Sequence, residues 1–346
     1  MRWSQVCIES IGYALPEERV TTARLEQALK PVYDALHLAP GHVAALTGVL
    51  ERRYWPPDQP MWEVAARAAE KALEQAGLEA QQLGALIYAG VCRDQLEPAT
   101  ACAVAEALGI EGDVEIFDLS NACLGVLNGM IELAHRIECG QIHAGMVVSA
   151  ESARGIQQKT LERLLQAPTL EGLRLSLATF TGGSGAVAVI LTRASHSYSG
   201  HRLLGGAVVA APQHHRICRW GGPTGLLGET PNVMETDASA VLTHGVALGL
   251  RTWEKLLATL SWRRTDVDRV ICHQVGSGHR RQILETLGLR TDQDFNTFET
   301  LGNMGTVALP LTLAQADEAG FFSSGDRVGL LGIGSGLNCV MLGVHW

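Results

Sequence analysis

The sequence predicts an α/β protein in which helices cover both faces of buried β-sheets. Apolar runs such as ALIYAG after Gly84 and AGMVVSA after His143 are typical of strands buried on both faces. Amphipathic helical segments alternate with these runs, as in layered α/β proteins. The 38 glycines among 346 residues indicate many tight turns and close backbone contacts. At this length we expect a sizeable core, divided between two domains or belonging to one duplicated unit.

The chain also contains an internal repeat of elements. The strand, polar loop and amphipathic helix of Leu83–Ile110 match those of Val267–Leu289 in pattern. The predicted strand that begins at Val114 has a counterpart at Gln293, and each is followed by a turn and an apolar helix. The offsets are 184 residues (271 minus 87) and 178 residues (295 minus 117), close to half of the 346-residue chain. The sequence therefore predicts a duplication that is retained in the order of elements rather than in residue identity.

Composition argues against several functional classes. The formal net charge of −9 disfavours nucleic acid or an anionic membrane as the main partner. We expect no signal peptide and no membrane span, because no window has 18 uninterrupted apolar residues. The eight cysteines form no C-x-x-C pair, so neither a zinc site nor a disulfide framework is supported, and most of them are expected to be buried. We therefore expect a cytoplasmic protein without a metal site.

A cysteine stands where a predicted strand gives way to a helix. In VEIFDLSNACLGVLNGM the strand ends at a small polar turn, and Cys123 lies at or next to the helix N-terminus. Free backbone N–H groups and the helix dipole stabilise a thiolate at such a position, and the thiolate is the nucleophilic form. Taken alone, Cys123 is equally well interpreted as one more small buried residue.

Two polar residues of the second repeat suggest a common site with this cysteine. His273 ends the apolar strand of ICHQVGSG, where α/β sheets present active-site groups, and Asn303 lies between the two glycines of GNMG on a turn into an apolar helix. Taken singly, they are also interpretable as a satisfied core histidine and a helix-capping or left-handed asparagine. Cys123 and Asn303 occupy equivalent parts of the repeats, so a pseudo-twofold arrangement would bring all three together. A thiol with two hydrogen-bonding groups suits acyl transfer, because His and Asn can polarise a thioester or enolate oxygen.

These motifs resemble those of the thiolase superfamily, on the ketosynthase III side. SNACLGVLNGM resembles the nucleophile motif of that family, ICHQVGSG its histidine motif and GNMGTVALPLTLA its asparagine motif. TGVLERRYW, TGGSGAVAVIL and LLGIGSGLNCVMLG are similar to its arginine-containing and glycine-rich segments, so the resemblance covers essentially the whole chain. It implies a thiolase fold of two βαβαβαββ halves in five αβαβα layers. Residues 1–195 would form the half with the nucleophile cysteine and residues 196–346 the half with His and Asn, within an obligate homodimer.

The stretch DQLEPATACAV distinguishes this chain from ordinary ketosynthase III enzymes, which have an apolar residue in place of Glu97. A carboxylate 26 residues before Cys123 (123 minus 97) resembles the OleA-type thiolases, which condense two acyl-CoA molecules head to head without decarboxylation. This resemblance implies that Glu97 is the base and that it reaches into the partner subunit's site. Without the family, Glu97 is a first-turn acid favoured by the helix dipole. A degradative thiolase is disfavoured, because Ile333 stands where that class has its second cysteine and Cys339 is too far along.

The resemblance implies a four-step reaction. Cys123 accepts an acyl chain from the first acyl-CoA, and the second binds with its thioester oxygen near His273 and Asn303. Glu97 removes its α-proton, and the carbanion attacks the acyl-enzyme to give a 2-alkyl-3-oxoacyl product or the β-keto acid. Backbone N–H groups of Cys123 and Ser335 would hold the oxyanion. Two alternatives stay open: a decarboxylating ketosynthase III or chain-joining polyketide ketosynthase, and a non-catalytic subunit of a heterodimer.

No cofactor is expected, because CoA thioesters are the substrates. Five arginines are candidates for binding the CoA phosphates, although any one of them is more readily interpreted as solvated surface: Arg52, Arg53, Arg216, Arg219 and Arg251. Three residues of the Gly/Pro-rich connector are candidates for lining an acyl channel: Gly222, Pro223 and Leu226. An acyl carrier protein and downstream pathway enzymes stay open as partners.

Overall fold

The computed structural model describes residues 1–221 and 233–346. The strands are β1 Val6–Ala14, β2 Glu18–Thr21, β3 Glu51–Tyr54, β4 Ala85–Tyr88, β5 Glu115–Asp118, β6 Ala144–Glu151, β7 Gly185–Arg193, β8 His201–Ala210, β9 Cys218–Trp220, β10 Met234–Thr236, β11 Arg269–Cys272, β12 Arg327–Gly334 and β13 Asn338–His345. The α-helices are α1 Thr22–Leu36, α2 His42–Thr47, α3 Met61–Ala76, α4 Thr100–Ala107, α5 Gly125–Glu138, α6 Arg154–Gln166, α7 Leu170–Ser176, α8 Ala238–Leu260, α9 Ser277–Leu287, α10 Phe298–Leu301 and α11 Ala308–Glu318. The candidate channel residues Gly222, Pro223 and Leu226 lie outside the described residues.

Within the described ranges, nine strands form one sheet in the order β11-β12-β13-β8-β1-β7-β6-β4-β5. The order is nearly symmetric about the contact between β1 and β8, where Cys7 pairs with Arg202. On one side, β4 runs parallel to β6 and β6 runs antiparallel to β7. On the other side, β11 runs parallel to β12 and β12 runs antiparallel to β13. These matching directions confirm the duplication that the sequence predicts.

Helices cover both faces of each half of the sheet. The central layer is formed by α5 and α11, whose Leu127 and Leu311 share one core with strands of both halves. The outer layers are α3 and α4 on the first half, and α8 and α9 on the second. Alternate residues of β6 face opposite cores, with Val147 in the central core and Met146 and Val148 in an outer one. This five-layered αβαβα arrangement confirms the fold class, and burial on both faces explains the continuous apolar runs.

One predicted strand is wrong. Gln293 ends a short 3-10 helix, and the chain beyond it makes a single parallel bridge, from Asp294 to Val270. The Asp294 carboxylate accepts the backbone N–H of Cys272 at 3.0 Å, so a side-chain hydrogen bond is made where a strand would use its backbone. The boundary between residues 1–195 and 196–346 falls between β7 and β8, and the division into two domains stays a prediction.

Candidate active site

Cys123 lies on a sharp turn between β5 and α5. The strand ends at Asp118, and Ala122, Cys123 and Leu124 form a short 3-10 helix that leads into α5. Ala122 has a φ of +46°, a left-handed conformation that costs a residue with a β-carbon roughly 1–2 kcal/mol. The strained turn presents Cys123 at the start of the helix, where the sequence predicts it.

Residues of the second half hold this turn in place. The Thr306 hydroxyl accepts the backbone N–H of Val126 at 2.7 Å and so satisfies one free donor in the first turn of α5. Gly334 packs so closely that a β-carbon there would lie 3.0 Å from Leu124 Cγ. The position of Cys123 therefore depends on segments that follow it in sequence by about 180 and 210 residues (306 minus 126, 334 minus 124).

Asn303 is fixed by its backbone and by one side-chain atom. Its N–H donates to the Thr181 carbonyl at 2.9 Å, and its own carbonyl accepts the N–H of Gly183 at 2.9 Å. Its Oδ1 accepts the N–H of Gly305 at 2.9 Å. Because the amide oxygen is engaged, the Asn303 NH2 group is the part of the side chain that can donate to a substrate oxygen.

His273 follows β11 and is buried. Its backbone N–H donates to the Leu331 carbonyl at 2.9 Å, which extends the pairing of β11 with β12 by one residue. Among the described residues, its buried Nδ1 has no hydrogen-bond partner. Burial, with a smaller contribution from His279, lowers the pKa of His273 to about 3, so its imidazole is neutral. A neutral imidazole can accept a proton at one nitrogen and donate from the other.

Two cavities meet at Cys123. The larger has a volume of about 310 Å³ and a border that includes Cys123, Asn303, Glu151 and Trp220. The smaller has a volume of about 90 Å³ and is bordered by Cys123, Asn303 and His273 among others. The structure therefore brings three predicted site residues to one place, with space on two sides of the thiol.

Ser335 and Cys218 also border both cavities. The Ser335 hydroxyl donates to the Cys218 sulfur at 3.0 Å, which ties the segment after β12 to β9 beside the nucleophile. An oxyanion hole formed by the backbone N–H groups of Cys123 and Ser335 stays a prediction. No motif marked Cys218, because its proximity to Cys123 arises only in the folded chain. The expectation that most cysteines are buried holds only in part. Three of the eight are fully buried (Cys7, Cys272 and Cys339), three more, including Cys123, are partly buried, and two are exposed.

The surroundings of Cys123 favour the thiol over the thiolate. The pKa of Cys123 is raised to about 12, mainly by burial and also by Cys218 and Glu151, while the Cys123 backbone N–H opposes the rise. The stabilisation expected from the helix N-terminus is thus outweighed by the loss of solvent. A thiol of this kind needs a base when it attacks, and neutral His273 borders the same small cavity.

Alkylation of Cys123 should therefore increase well into the alkaline range. The thiolate is the reactive form, and its fraction grows about tenfold per pH unit below the pKa. We expect the rate of iodoacetamide modification at Cys123 to rise from pH 7 to pH 10 without a plateau. Mass spectrometry of the Cys123 peptide measures this rate, with the exposed Cys139 as the control for the reagent. A plateau below pH 9 would contradict an environment dominated by burial.

Glu151, at the end of β6, is a buried carboxylate in the larger cavity that no motif indicated. Its Oε1 accepts the N–H of Val91 at 2.9 Å, and its Oε2 accepts the N–H of Cys92 at 3.1 Å. Burial raises the pKa of Glu151 to about 7, although the bonds from Val91 and Cys92 oppose the rise. The available signal was an acidic residue at the end of the otherwise apolar run AGMVVSAE, since unpaired carboxylates are rarely buried.

Glu97 borders neither cavity of its own chain. It is exposed, in the loop between β4 and α4. The Asp118 carboxylate accepts the N–H groups of Thr100 and Ala101 at 3.0 and 2.9 Å and so occupies the N-terminus of α4. The interpretation of Glu97 as a first-turn acid is therefore wrong, because Glu97 precedes the helix by three residues (100 minus 97) and another carboxylate caps it.

The five candidate arginines differ in exposure. Arg52 is fully buried, and its Nη2 donates to the Phe180 carbonyl at 3.0 Å. The expectation that Arg52 binds a CoA phosphate is therefore wrong, because its guanidinium does not face the solvent from which a phosphate would bind. Arg53 is half-buried and donates to the Pro16 carbonyl at 2.9 Å. The remaining three are exposed: Arg216, Arg219 and Arg251.

Residues 1–221 and 233–346 contain neither a cluster of metal-ligating side chains nor a membrane-spanning helix. Across these ranges, no group of three or more His, Cys, Asp or Glu side chains is placed to hold a metal ion. Nor does this part of the chain contain a helix long and apolar enough to cross a membrane.

Comparison with known proteins agrees with this geometry. The family described as 3-oxoacyl-[acyl-carrier-protein] synthase III, C-terminal, matches residues 257–346, and the thiolase N-terminal domain matches residues 47–164. An acyl-CoA:acyl-CoA alkyltransferase of Shewanella oneidensis is 49% identical over 349 residues and covers 100% of both chains. A protein of the same name from Xanthomonas campestris is 33% identical over 347 residues, again covering 100% of both chains. A crystal structure of a cysteine-to-alanine variant of Xanthomonas campestris OleA has a TM-score of 0.94 at 32% identity and covers 100% of this chain and 98% of its own.

The layered fold and the cysteine-centred cavities define a thiolase-fold enzyme that transfers acyl groups and forms carbon–carbon bonds. Within that class, the chain belongs to the acyl-CoA:acyl-CoA alkyltransferase (OleA) family.

Proposed function

We propose that this enzyme condenses two fatty acyl-CoA thioesters head to head through an acyl chain carried on Cys123. The product is a 2-alkyl-3-oxoacyl thioester or, after hydrolysis, the β-keto acid. The observation that carries the proposal is the meeting of two cavities at Cys123, beside Asn303 and His273. Support comes from the relative of 49% identity, which is named for the joining of one acyl-CoA to another. In this proposal the reaction needs only CoA thioesters and side chains of this chain, so no cofactor takes part. The proposed location of the reaction is the cytoplasm.

The first half of the reaction loads Cys123. The thiol attacks the thioester carbonyl of the first acyl-CoA, His273 takes the thiol proton, and CoA leaves with a proton as the free thiol. The neutral imidazole of His273 has a lone pair that can accept the proton, although the burial that lowers its pKa also makes it a weaker base than a free histidine. Backbone N–H groups of Cys123 and Ser335 would stabilise the charge that develops on the carbonyl oxygen.

The second half forms the carbon–carbon bond. The second acyl-CoA must lose an α-proton, because it carries no carboxylate that could leave as CO₂, and so a base is required. The Asn303 NH2 group and an N–H of His273 would hold the enolate oxygen. Glu97 would remove the proton, and the α-carbon would attack the Cys123 thioester, breaking the bond to sulfur. The thiol of Cys123 is then regenerated for the next cycle.

Two observations support Glu97 as this base. Solved structures of Xanthomonas campestris OleA include variants at a cysteine and at a glutamate that lie 26 residues apart. The same separation, 26 residues (123 minus 97), joins Glu97 to Cys123 in this chain. Glu97 is also exposed, on a loop whose first part borders the larger cavity through Val91, and it is free to contact another subunit.

We further propose a homodimer in which Glu97 enters the partner subunit's site. In the described part of the chain, β5 lies at one end of the nine-stranded sheet, and the outer side of an edge strand can pair with a second copy. The loop beside it exposes the apolar side chains Val91 and Leu96 together with Glu97. Pairing through this edge would cover that apolar surface and would explain why Glu97 borders no cavity of its own chain.

The proposal is tested by incubating the purified protein with myristoyl-CoA as the sole thioester. We expect CoA release beyond one equivalent per protomer, and a C27 ketone from decarboxylation of the β-keto acid, identified by mass spectrometry. A single equivalent of CoA release, followed by condensation only when a malonyl thioester is added, would favour a decarboxylating ketosynthase III. A β-ketoacyl-[acyl-carrier-protein] synthase III of Desulfitobacterium hafniense is 27% identical, which makes this the relevant alternative.

A further inference from the structure

Glu151 is a buried carboxylate at the edge of the larger cavity that no step of the proposed reaction uses. We propose that Glu151 is a positioning residue: its carboxylate fixes the start of the loop that carries Glu97 and so sets the direction in which Glu97 projects toward the partner subunit's site. Proton removal from the second acyl-CoA then depends on Glu151, whereas acyl transfer to Cys123 does not. The inference rests on the proposed function, because it assigns Glu97 as the base.

The carboxylate holds the start of the loop with both oxygens. Oε1 accepts the N–H of Val91 at 2.9 Å and Oε2 accepts the N–H of Cys92 at 3.1 Å, six and five residues before Glu97 (97 minus 91, 97 minus 92). The Tyr88 hydroxyl donates to the Cys92 carbonyl at 2.6 Å, so both backbone groups of Cys92 are fixed. Bonds from two backbone donors to one carboxylate define the direction in which the chain leaves β4.

The far part of the loop is fixed independently of Glu151. The Asp94 carboxylate accepts the N–H groups of Met61 and Trp62 at 2.8 and 2.9 Å, at the N-terminus of α3. The loop is thus attached to an outer helix through Asp94 and to β6 through Glu151, with a longer contact between the Cys92 sulfur and the Ser152 N–H at 3.4 Å. Of these attachments, the Glu151 attachment holds the backbone where the loop leaves β4 and so directs the rest of the loop, including Glu97.

On its other side, Glu151 packs against the Asn303 turn. A β-carbon at Gly305 would lie 3.4 Å from the carboxyl carbon of Glu151, so the Glu151 side chain lies directly beside this turn, and both residues border the larger cavity. The N–H of Gly305 donates to Asn303 Oδ1 at 2.9 Å. The Glu151 carboxyl group therefore lies beside the Asn303 turn of its own site, while it holds the loop that would carry Glu97 toward the partner subunit's site.

The charge of Glu151 gives no benefit to the nucleophile. It raises the pKa of the Cys123 thiol and so opposes formation of the thiolate. Burial in turn raises the pKa of Glu151 itself. A group that is costly to bury and unfavourable to its catalytic neighbour must contribute elsewhere, and the contacts of Glu151 place that contribution at the Glu97 loop.

The experiment compares Glu151→Gln with wild type in the full-length protein, using myristoyl-CoA. Glutamine replaces one of the two carboxylate oxygens with an NH2 group that would face a backbone donor, so the bond to Val91 or to Cys92 is lost. We expect the initial CoA burst from loading of Cys123 to stay within about twofold, and condensation to fall at least about tenfold. Hydrogen exchange should increase in the peptide of residues 91–97 and stay unchanged in the peptide of residues 120–128. Glu151→Asp, which keeps both oxygens, should recover part of the condensation.

A matched control is available at Glu138, outside both cavities. Its carboxylate accepts the N–H groups of Ser4 and Gln5 at distances between 2.8 and 3.0 Å, so Glu138→Gln also removes an acceptor from backbone donors. We expect this variant to load Cys123 and to condense at wild-type rates. It separates the effect of the Glu97 loop from a general loss of backbone hydrogen bonds.

Four results would overturn the inference. Condensation by Glu151→Gln at the wild-type rate would remove the positioning role, and equal loss of loading and condensation would make Glu151 a general support of the cavity. Retained condensation in Glu97→Gln together with its loss in Glu151→Gln would make Glu151 the base itself. If the wild-type protein forms no condensed product from acyl-CoA alone, the proposed function fails and this inference fails with it. A normal wild-type reaction with a normal Glu151→Gln variant overturns only the present inference.

Discussion

Replacement of Cys123 by alanine is expected to abolish the acyl-enzyme and to reduce condensation by at least about 10⁴-fold, because no other group can then carry the acyl chain. Intact-protein mass spectrometry after addition of myristoyl-CoA measures the adduct directly. Cys218→Ala is the informative control, since Cys218 borders the same two cavities and its sulfur is hydrogen-bonded by Ser335. We expect that variant to keep the adduct.

The structure defines what would contradict this result. Cys123 is placed by the left-handed Ala122 and by the Thr306 hydroxyl on the first turn of α5, whereas Cys218 lies on the short strand β9. An acyl adduct that persists in Cys123→Ala and disappears in Cys218→Ala would show that Cys218, and not Cys123, is the nucleophile.

Replacement of Glu97 by glutamine should separate the two halves of the reaction. We expect loading of Cys123 within about twofold of wild type and condensation reduced by at least about 10³-fold, because the α-proton of a plain acyl-CoA needs a base. Rapid-mixing measurement of the CoA burst and of the product gives both rates. Glu106→Gln, at another exposed acid nearby on α4, is the control and should leave both rates unchanged. Parallel loss of loading and condensation would contradict the role of Glu97.

The same variants test whether Glu97 acts across the dimer. Neither Glu97→Gln nor Cys123→Ala should condense alone. A mixed dimer would contain one site with Cys123 from one protomer and Glu97 from the other, so activity should return on mixing after subunit exchange. Absence of recovery in mixed dimers that are shown to form would place Glu97 in its own protomer's site.

The buried strands and the three motif residues could be predicted because each depends on a local pattern. A strand buried on both faces is a continuous apolar run whatever its neighbours, and turns into central helices bring polar residues to one edge of the sheet. The strand expected at Gln293 does not form, because Asp294 accepts the Cys272 N–H with its side chain instead of its backbone. The prediction that Arg52 binds a CoA phosphate was wrong because its guanidinium is buried and bonds to the carbonyl of Phe180, a residue far away in sequence.

Other features of the site could not be predicted from local pattern. Glu151 meets Val91 and Cys92 across about 60 residues (151 minus 91) and Gly305 across about 150 (305 minus 151), and each of these contacts exists only in the folded chain. The pKa of Cys123 depends likewise on how deeply the fold buries its sulfur, and so the helix N-terminus alone gave the wrong direction.

The most direct test of the central claim is a competition between [1-¹³C]myristoyl-CoA and unlabelled malonyl-CoA at equal concentration. Condensation without decarboxylation predicts a twenty-eight-carbon β-keto acid that carries two labelled carbons, one from each acyl group, detected by mass spectrometry before the carboxyl group is lost. A sixteen-carbon 3-oxoacyl product with a single labelled carbon would contradict the claim, because its two added carbons would come from the malonyl donor. The same reaction with Glu97→Gln should lose the doubly labelled product and retain labelled acyl-enzyme on Cys123.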